Sequence, residues 1–188
     1  LKRCISLAQA LAKEGDSPYF LCSNEAYSSG LFAGTDFDHA VSETLVNQGA
    51  DAESTLRLME RRNINTVIFD SYSVDEEYLK VFNAKGLNTI CLDDIGDRPL
   101  PCEIIINGGL GAEELTYQAP QQLLGRQFCI LGKSFWDCQT KASEARRVKN
   151  VLITMGGVDH YGLSQRCLKL LERLAKDVAI TVVIGPLY

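Results

Sequence analysis

An α/β fold built on parallel strands is what this sequence predicts, and three observations carry the prediction. Unbroken apolar runs recur, among them Thr66-Val-Ile-Phe-Asp70, Thr89-Ile-Cys-Leu-Asp93, Glu103-Ile-Ile-Ile-Asn107 and Val151-Leu-Ile-Thr154. Runs without alternation suit strands covered on both faces, as in parallel sheets. Between them lie stretches with apolar residues at helical spacing, which makes the βαβ alternation of a parallel sheet. Finally, a polar and charged segment interrupts the alternation before it restarts at Val151. The expected organisation is therefore a Rossmann-like unit over 1–132, a connector over 133–149, and the beginning of a second Rossmann-like unit over 150–188.

In chain order, Leu1, Cys4, Ile5, Ala8, Leu11 and Ala12 form the stripe of a helix that stops at Gly15. It has no cap or strand before it, and the last strand, from Val178, breaks off at Val183-Ile-Gly-Pro186, so the chain reads as an internal fragment of a longer protein. Tyr19 to Cys22 is a short strand, followed by a polar stretch over 23–34 and a weaker extended piece near Phe37 to Val41. Asp51 stands where a cap opens a helix reaching Arg62, with Ala52, Leu56 and Met59 inward. After the strand ending at Asp70, Ser73 and Glu76 have the spacing of a capping box. Val74, Tyr78, Val81 and Phe82 then share a face until Gly86. Two prolines make 96–102 a loop. The stretch 111–127 lacks periodicity and is expected to cover the sheet edge or a ligand cleft. Phe128 to Leu131 reads as another short strand. From Leu163, the positions Leu163, Cys167, Leu170, Leu171 and Leu174 fall on one helical face.

Composition narrows the function classes. Hydrophobic residues make up 46% and charged residues 23%, as in ordinary globular chains, and the net charge is −5. No basic run or basic–aromatic interleaving is present, which argues against a nucleic-acid surface. No stretch approaches the ~20 apolar residues of a membrane span, and no signal peptide is visible. Seven cysteines without a C-x-x-C pair suit a reducing cytosol better than a disulfide framework. The two histidines, His39 and His160, stand far from each other and from any cysteine at ligand spacing. No metal and no cofactor is expected.

Two places invite a ligand. Asp70 and Tyr72 follow a central strand, at the edge where open α/β sheets gather ligands. The alternative is that Asp70 caps loop amides and Tyr72 packs on the loop. Gly156 and Gly157 follow the strand from Val151 without Cβ atoms to shield their amides, and Asp159 is placed to cap the next helix, a seat for phosphate. A tight strand–helix connection explains the same glycines. Asp93 and Asp94 form a carboxylate pair for acid–base work or metal binding, with Arg98 close enough to pair with one of them; for this pair the structural role is the safer reading.

Taken in order, these landmarks resemble the PseG/SpsG-like UDP-sugar hydrolase family of pseudaminic acid biosynthesis. Leu1-Lys-Arg-Cys-Ile-Ser-Leu-Ala is similar to the family's helix in the pattern Gly-His-x-x-Arg-Cys-x-x-Leu-Ala. Asp70-Ser-Tyr72, Asp93-Asp94 with Arg98, Ile106-Asn107, Leu131-Gly132, Met155-Gly-Gly-Val-Asp159 and Val183-Ile-Gly-Pro186 follow in the family's sequence. The resemblance implies a GT-B-like, MurG-like architecture of two Rossmann-like domains with the nucleotide held mainly by the second. It further implies metal-independent hydrolysis of UDP-2,4-diacetamido-2,4,6-trideoxy-β-L-altropyranose, with a histidine immediately ahead of Leu1 as general base. On this reading Gly156 and Gly157 approach the diphosphate and Asp159 orders their turn. Asp70 and Tyr72 border the sugar as the catalytic candidates within this span, while Arg3 supports the first loop and, with Asn107, joins the substrate-binding set. The chain departs from the family at Lys133-Ser-Phe-Trp-Asp-Cys-Gln139, where a Tyr-x-Leu-Leu-Arg-Pro-Glu-Phe-like segment is usual. The partner implied is a UDP-sugar, with no nucleic acid, no membrane and no stated oligomer. A MurG-like glycosyltransferase and a non-catalytic nucleotide-sugar-binding module are the alternatives.

Overall fold

Three of the apolar runs lie side by side because each buries its side chains on neighbours that do the same. The computed structural model describes residues 2–22, 30, 32–42, 50–138, 148–155, 159–174 and 177–184. Strand β3 (Thr66–Phe69) pairs with β4 (Asn88–Leu92), β4 with β5 (Ile104–Asn107) and β5 with β6 (Gln121–Leu124), all parallel. Two further parallel pairs stand apart from this sheet: β1 (Phe20–Cys22) with β2 (His39–Val41), and β7 (Asn150–Thr154) with β8 (Ala179–Val183). The chain is thus α/β with parallel sheets, the largest described having four strands.

It divides into two compact units, Leu1–Cys138 and Gln139–Tyr188. In the first, helix α1 (Lys2–Lys13) precedes β1 and α2 (Asp51–Arg61) precedes β3, while α3 (Glu76–Asn83) joins β3 to β4. The second unit holds β7, helix α4 (Leu163–Leu174) and β8.

The first unit's core gathers where α3 meets the sheet. Leu79 and Phe82 are fully buried, with Tyr78, Val74, Met59, Cys91 and Ile105 packed around them. Each such side chain contributes about 1.5–3 kcal/mol relative to exposure. Phe69, Tyr78 and Phe82 meet with ring centroids 5.1–5.7 Å apart, the edge-on and tilted arrangements that aromatic quadrupoles favour. Val81, placed by periodicity on this face, is exposed, and Leu79 takes the inward position.

Local chemistry corrects four details of the sequence reading. Helix α3 is capped by Asp75, whose carboxylate accepts from the Tyr78 N–H at 2.9 Å, and not by Ser73, which lies in the preceding turn. Asp51 lies inside α2 rather than capping it; buried, it accepts a hydrogen bond from the Tyr78 hydroxyl at 2.5 Å. The stretch 111–127 contains β6, whose first two residues are exposed glutamines and give no apolar signal. Phe128 to Leu131 is not a strand. A short 3-10 turn over Arg126–Phe128 carries that segment past the end of β5, where Gly108 lets the Cys129 backbone approach: a Cβ at 108 would lie 2.6 Å from the Cys129 Cα.

Candidate functional site

All four strands of the main sheet run the same way, so their carboxyl ends share one edge. There each apolar run gives way to polar residues: Asp70, Ser71 and Tyr72 after β3, Asp93 and Asp94 after β4, and Asn107 at the end of β5. Buried strands can end in carboxylates only where water or donors meet the charge, and helix α1 supplies donors to Asp70 and Asp94.

Arg3, in the first turn of α1, reaches two of these carboxylates. Its Nε and Nη2 donate to Asp70 Oδ1 at 3.1 and 2.5 Å, and its Nη1 donates to Asp94 Oδ1 at 2.6 Å. On the other oxygens, the Cys4 thiol donates to Asp70 Oδ2 at 3.0 Å and the Tyr72 hydroxyl to Asp94 Oδ2 at 3.0 Å. One guanidinium therefore ties the ends of β3 and β4 together through charge-assisted bonds, the stronger kind. Of the residues expected at the site, Arg3, Asp70 and Tyr72 are brought together here. Asp94 joins them, and Cys4 extends the group inward.

The electrostatics follow from this geometry. Burial alone would push the Asp70 carboxyl up, yet the hydrogen bonds from Arg3 and Cys4 hold it below the usual range. Arg3 is driven further toward its charged form, mainly by its bond to Asp70. Burial, then the anionic Asp70, pushes the Cys4 thiol up to about 12, so it is a donor and not a thiolate. Tyr72, 65% exposed, is raised by its bond to Asp94. At neutral pH the cluster presents ionised Asp70, cationic Arg3 and a protonated Tyr72 hydroxyl. Such a set binds and orients hydroxyl-rich ligands, with carboxylate oxygens accepting and the phenol and guanidinium donating. None of Asp70, Cys4 or Tyr72 is tuned to exchange a proton near pH 7.

Asn107 and Asp93 belong to a separate, interior network. Asn107 is 1% exposed; its Nδ2 donates to the Tyr117 hydroxyl at 2.9 Å and its Oδ1 accepts from the Gly109 N–H at 2.9 Å. Tyr117 in turn donates to Asp93 Oδ2 at 2.7 Å, and that oxygen also accepts from the Ile95 and Gly96 amides at 3.0 and 2.6 Å. Gly96 makes this turn with φ of 70°, a conformation that suits a residue without Cβ. Arg98 faces Asp93 Oδ1 at 3.6 Å and anchors itself on the Val74 and Ser71 carbonyls. Arg98 thus pairs with Asp93, and Arg3 with Asp94. Among the described residues no group of three or more His, Cys, Asp or Glu is arranged to hold a metal ion.

In the second unit, Gly156 and Gly157 lie outside the described residues. Asp159 caps α4: its two carboxylate oxygens accept from the Leu163 and Ser164 N–H groups, each at 2.8 Å, and those bonds lower its pKa. Two of the helix's first amides are thereby already satisfied by an anionic side chain, and a phosphate would have to use others.

Sequence reading did not place Asp94 or Cys4 in the site. The signal available was an aspartate following an apolar strand, two residues beyond the level of Asp70 in the register of the two strands. The pairing with Arg3, 91 positions away, left no mark in the sequence.

No family profile matches the chain. It is similar to a protein of Methanocaldococcus jannaschii described as "Uncharacterized protein MJ1062", with 26% identity over 152 residues, covering 73% of this chain and 30% of that protein. The chain thus spans about a third of the length of the curated relative it matches. Among the described residues no helix is long and apolar enough to cross a membrane.

Proposed function

We propose that this chain is part of a UDP-sugar hydrolase of the PseG/SpsG-like kind, with a GT-B-like architecture. In this reading the cluster on the carboxyl edge of the main sheet holds the sugar. Water cleaves the link between sugar and diphosphate, giving UDP and the free diacetamido-trideoxy sugar for nonulosonic (pseudaminic) acid biosynthesis. The observation that carries the reading is the Arg3–Asp70–Asp94–Tyr72 network, which joins at one sheet edge residues that the sequence resemblance groups by order alone. Asp70 and Asp94 accept from sugar hydroxyls or amides, and Arg3 holds both carboxylates in place and keeps Asp70 ionised. Tyr72, exposed, donates or stacks at the rim.

The general base on water is not one of these groups. Asp70 is held in its anionic form by Arg3, and the Tyr72 hydroxyl is held protonated, so their part is to bind and position. In this reading the proton goes to the histidine that the resemblance places directly ahead of Leu1, and the diphosphate is met by amides of the 155–159 turn.

The test is UDP release by the complete gene product from UDP-2,4-diacetamido-2,4,6-trideoxy-β-L-altropyranose. Turnover lost in Asp70→Asn, with the fold retained, is the expected result; no release of UDP from this or related UDP-sugars would end the reading. A second reading, a non-catalytic nucleotide-sugar-binding module, is favoured by one observation, that Asp70 and Tyr72 are both held away from proton exchange at neutral pH. It predicts UDP-sugar binding by calorimetry without turnover.

A further inference from the structure

Tyr72 stands in a tight turn from Ser71 to Val74, closed by the Val74 N–H donating to the Ser71 carbonyl at 3.4 Å. Its side chain is 65% exposed, so packing does not fix its direction. Its hydroxyl nevertheless meets Asp94 Oδ2 at 3.0 Å, where both groups are open to water. A single hydrogen bond between exposed groups competes with solvent on nearly equal terms and holds little by itself. Whatever directs Tyr72 onto Asp94 must therefore act on the backbone that carries it.

Arg98 acts at that point. Its Nε donates to the Val74 carbonyl at 2.9 Å and its Nη2 to the Ser71 carbonyl at 3.4 Å, so one guanidinium bridges the first and last residues of the turn. Val74, 2% exposed, ties one end of that turn to the core. Arg98 is itself fixed, because its Nη1 donates to Asp97 at 3.0 Å and faces the buried Asp93 Oδ1 at 3.6 Å. It also belongs to the loop that carries Asp94. That loop is braced by the Ile95 and Gly96 amides, which donate to Asp93 Oδ2. The loop after β4 thus grips the turn after β3 at two points: Arg98 holds its backbone, and Asp94 meets the Tyr72 hydroxyl.

We propose that Arg98 is the positioning residue of Tyr72: its fork holds the turn from Ser71 to Val74 so that the phenol meets Asp94 at the carboxyl edge of the sheet. Arginine suits this task and lysine does not. A planar fork donates to two carbonyls at once, whereas an ammonium supplies the same charge from one point. Since Asp93 and Asp97 meet the charge of Arg98, what the guanidinium gives the turn is shape. The interior network and the solvent-facing cluster are joined in this way: Asp93 steadies Arg98, Arg98 the turn, and the turn Tyr72. The placement of Tyr72 stands on these two loops alone; that the phenol then serves a sugar rests on the function proposed above.

Arg98→Lys in the complete gene product separates the fork from the charge. The readout that needs no ligand is the Tyr72 phenol, titrated by carbon NMR of ring-labelled tyrosine and identified by its loss in Tyr72→Phe. In the wild type the bond to Asp94 raises that titration, with Arg3 and Asp70 the other charged groups facing the phenol. Arg98→Lys is expected to move it down, in the direction that Asp94→Ala also moves it. If Arg98 served only to neutralise Asp93, lysine would do the same and Tyr72 would not respond; an unmoved titration in the folded variant overturns the proposal. Should Arg98→Lys fail to fold, Arg98→Gln combined with Asp93→Asn removes both buried charges together, and the same two outcomes decide. The second readout is calorimetry with UDP-2,4-diacetamido-2,4,6-trideoxy-β-L-altropyranose. Arg98→Lys and Tyr72→Phe are each expected to weaken binding about three- to tenfold, the worth of one hydrogen bond, and the double variant no further. Losses that multiply in the double variant overturn the proposal. Absence of binding by the wild type would end the proposed function instead, and the phenol titration would still decide the role of Arg98.

Discussion

Asp93 and Asp94 are neighbours in sequence, leave the same strand, and do opposite work. Asp93 turns inward, 2% exposed, and its Oδ2 collects a phenol and two backbone amides. Asp94 turns outward with 41% of its side chain exposed, and its partners Arg3 and Tyr72 are themselves partly open to water. The difference shows how a pair of identical carboxylates divides into an interior and a solvent-facing member. The interior one holds three fixed donors on Oδ2, while its buried Oδ1 has only the Arg98 charge 3.6 Å away. The outer one is held by side chains that a ligand can share or displace. Burial, not residue type, assigns the role.

Substitutions at the two positions should therefore separate stability from function. The largest effect is expected at the interior member: Asp93→Ala leaves the Tyr117 hydroxyl and two buried amides without their acceptor, while Arg98 keeps Asp97 at 3.0 Å, costing about 3–5 kcal/mol. Thermal unfolding should register a fall in Tm of at least about 6 °C, and a shift below about 2 °C would remove the distinction drawn here. Tyr117→Phe, which leaves Asp93 and Asn107 without their shared hydroxyl, should cost about 1–3 kcal/mol in urea unfolding.

Acid should act on the same network. Burial would raise the Asp93 carboxyl, but the bonds from Tyr117, Gly96 and Ile95, with Arg98 beside them, hold it below the usual value. A carboxyl depressed in the folded state adds stability that is complete above its unfolded pKa of about 3.9 and is lost as pH falls through the lower, folded value. Urea midpoints of the wild type should thus decline below about pH 4. In Asp93→Asn that decline should be shallower, with the share due to Asp70 remaining, since Asp70 is depressed in the same direction. Equal slopes in the two proteins would sink this assignment.

The outer member gives the mirror image. Asp94→Ala should change stability by less than about 1 kcal/mol, because its ion pair is partly exposed. Under the proposed function it should lower kcat/KM of the complete gene product for its UDP-sugar by about tenfold or more, the loss of a charged hydrogen bond to substrate. The smallest effect on the fold is expected from Tyr72→Phe, with Tm unchanged to within about 1 °C and a loss confined to ligand affinity by calorimetry.

Much of this arrangement was legible before any coordinates. The runs ending at Asp70, Asp93 and Asn107 read as buried strands because their apolar residues leave no exposed face, and they are β3, β4 and β5. Asp70 and Tyr72 stood out because polar groups after such strands share an edge. What sequence could not show is which of two candidates wins a local contest. Ser73 and Asp75 can each cap a helix; the turn at Ser71 to Val74 claims Ser73, and Asp75 does the capping. Asp51 has the look of a cap until Tyr78, 27 positions on, supplies a buried hydroxyl for it. Phe128 to Leu131 is apolar enough for a strand, yet the close approach of Cys129 to Gly108 carries it off the ladder. Arg3 was read as a support for its own loop, and its two distant carboxylates emerge only when α1 comes to rest at the sheet's edge.

Every described strand pairing in this chain is parallel, and that has a kinetic consequence. Among the described residues no hairpin is present to start the sheet: Phe69 meets Cys91 only after about 20 intervening residues have closed into a loop. Closure entropy must be spent before any ladder rewards it, so refolding from denaturant is expected on the millisecond-to-second scale, and not in microseconds. During that interval the apolar runs that later form the interior are open to other chains. Recovery of native protein should therefore fall as its concentration rises during refolding.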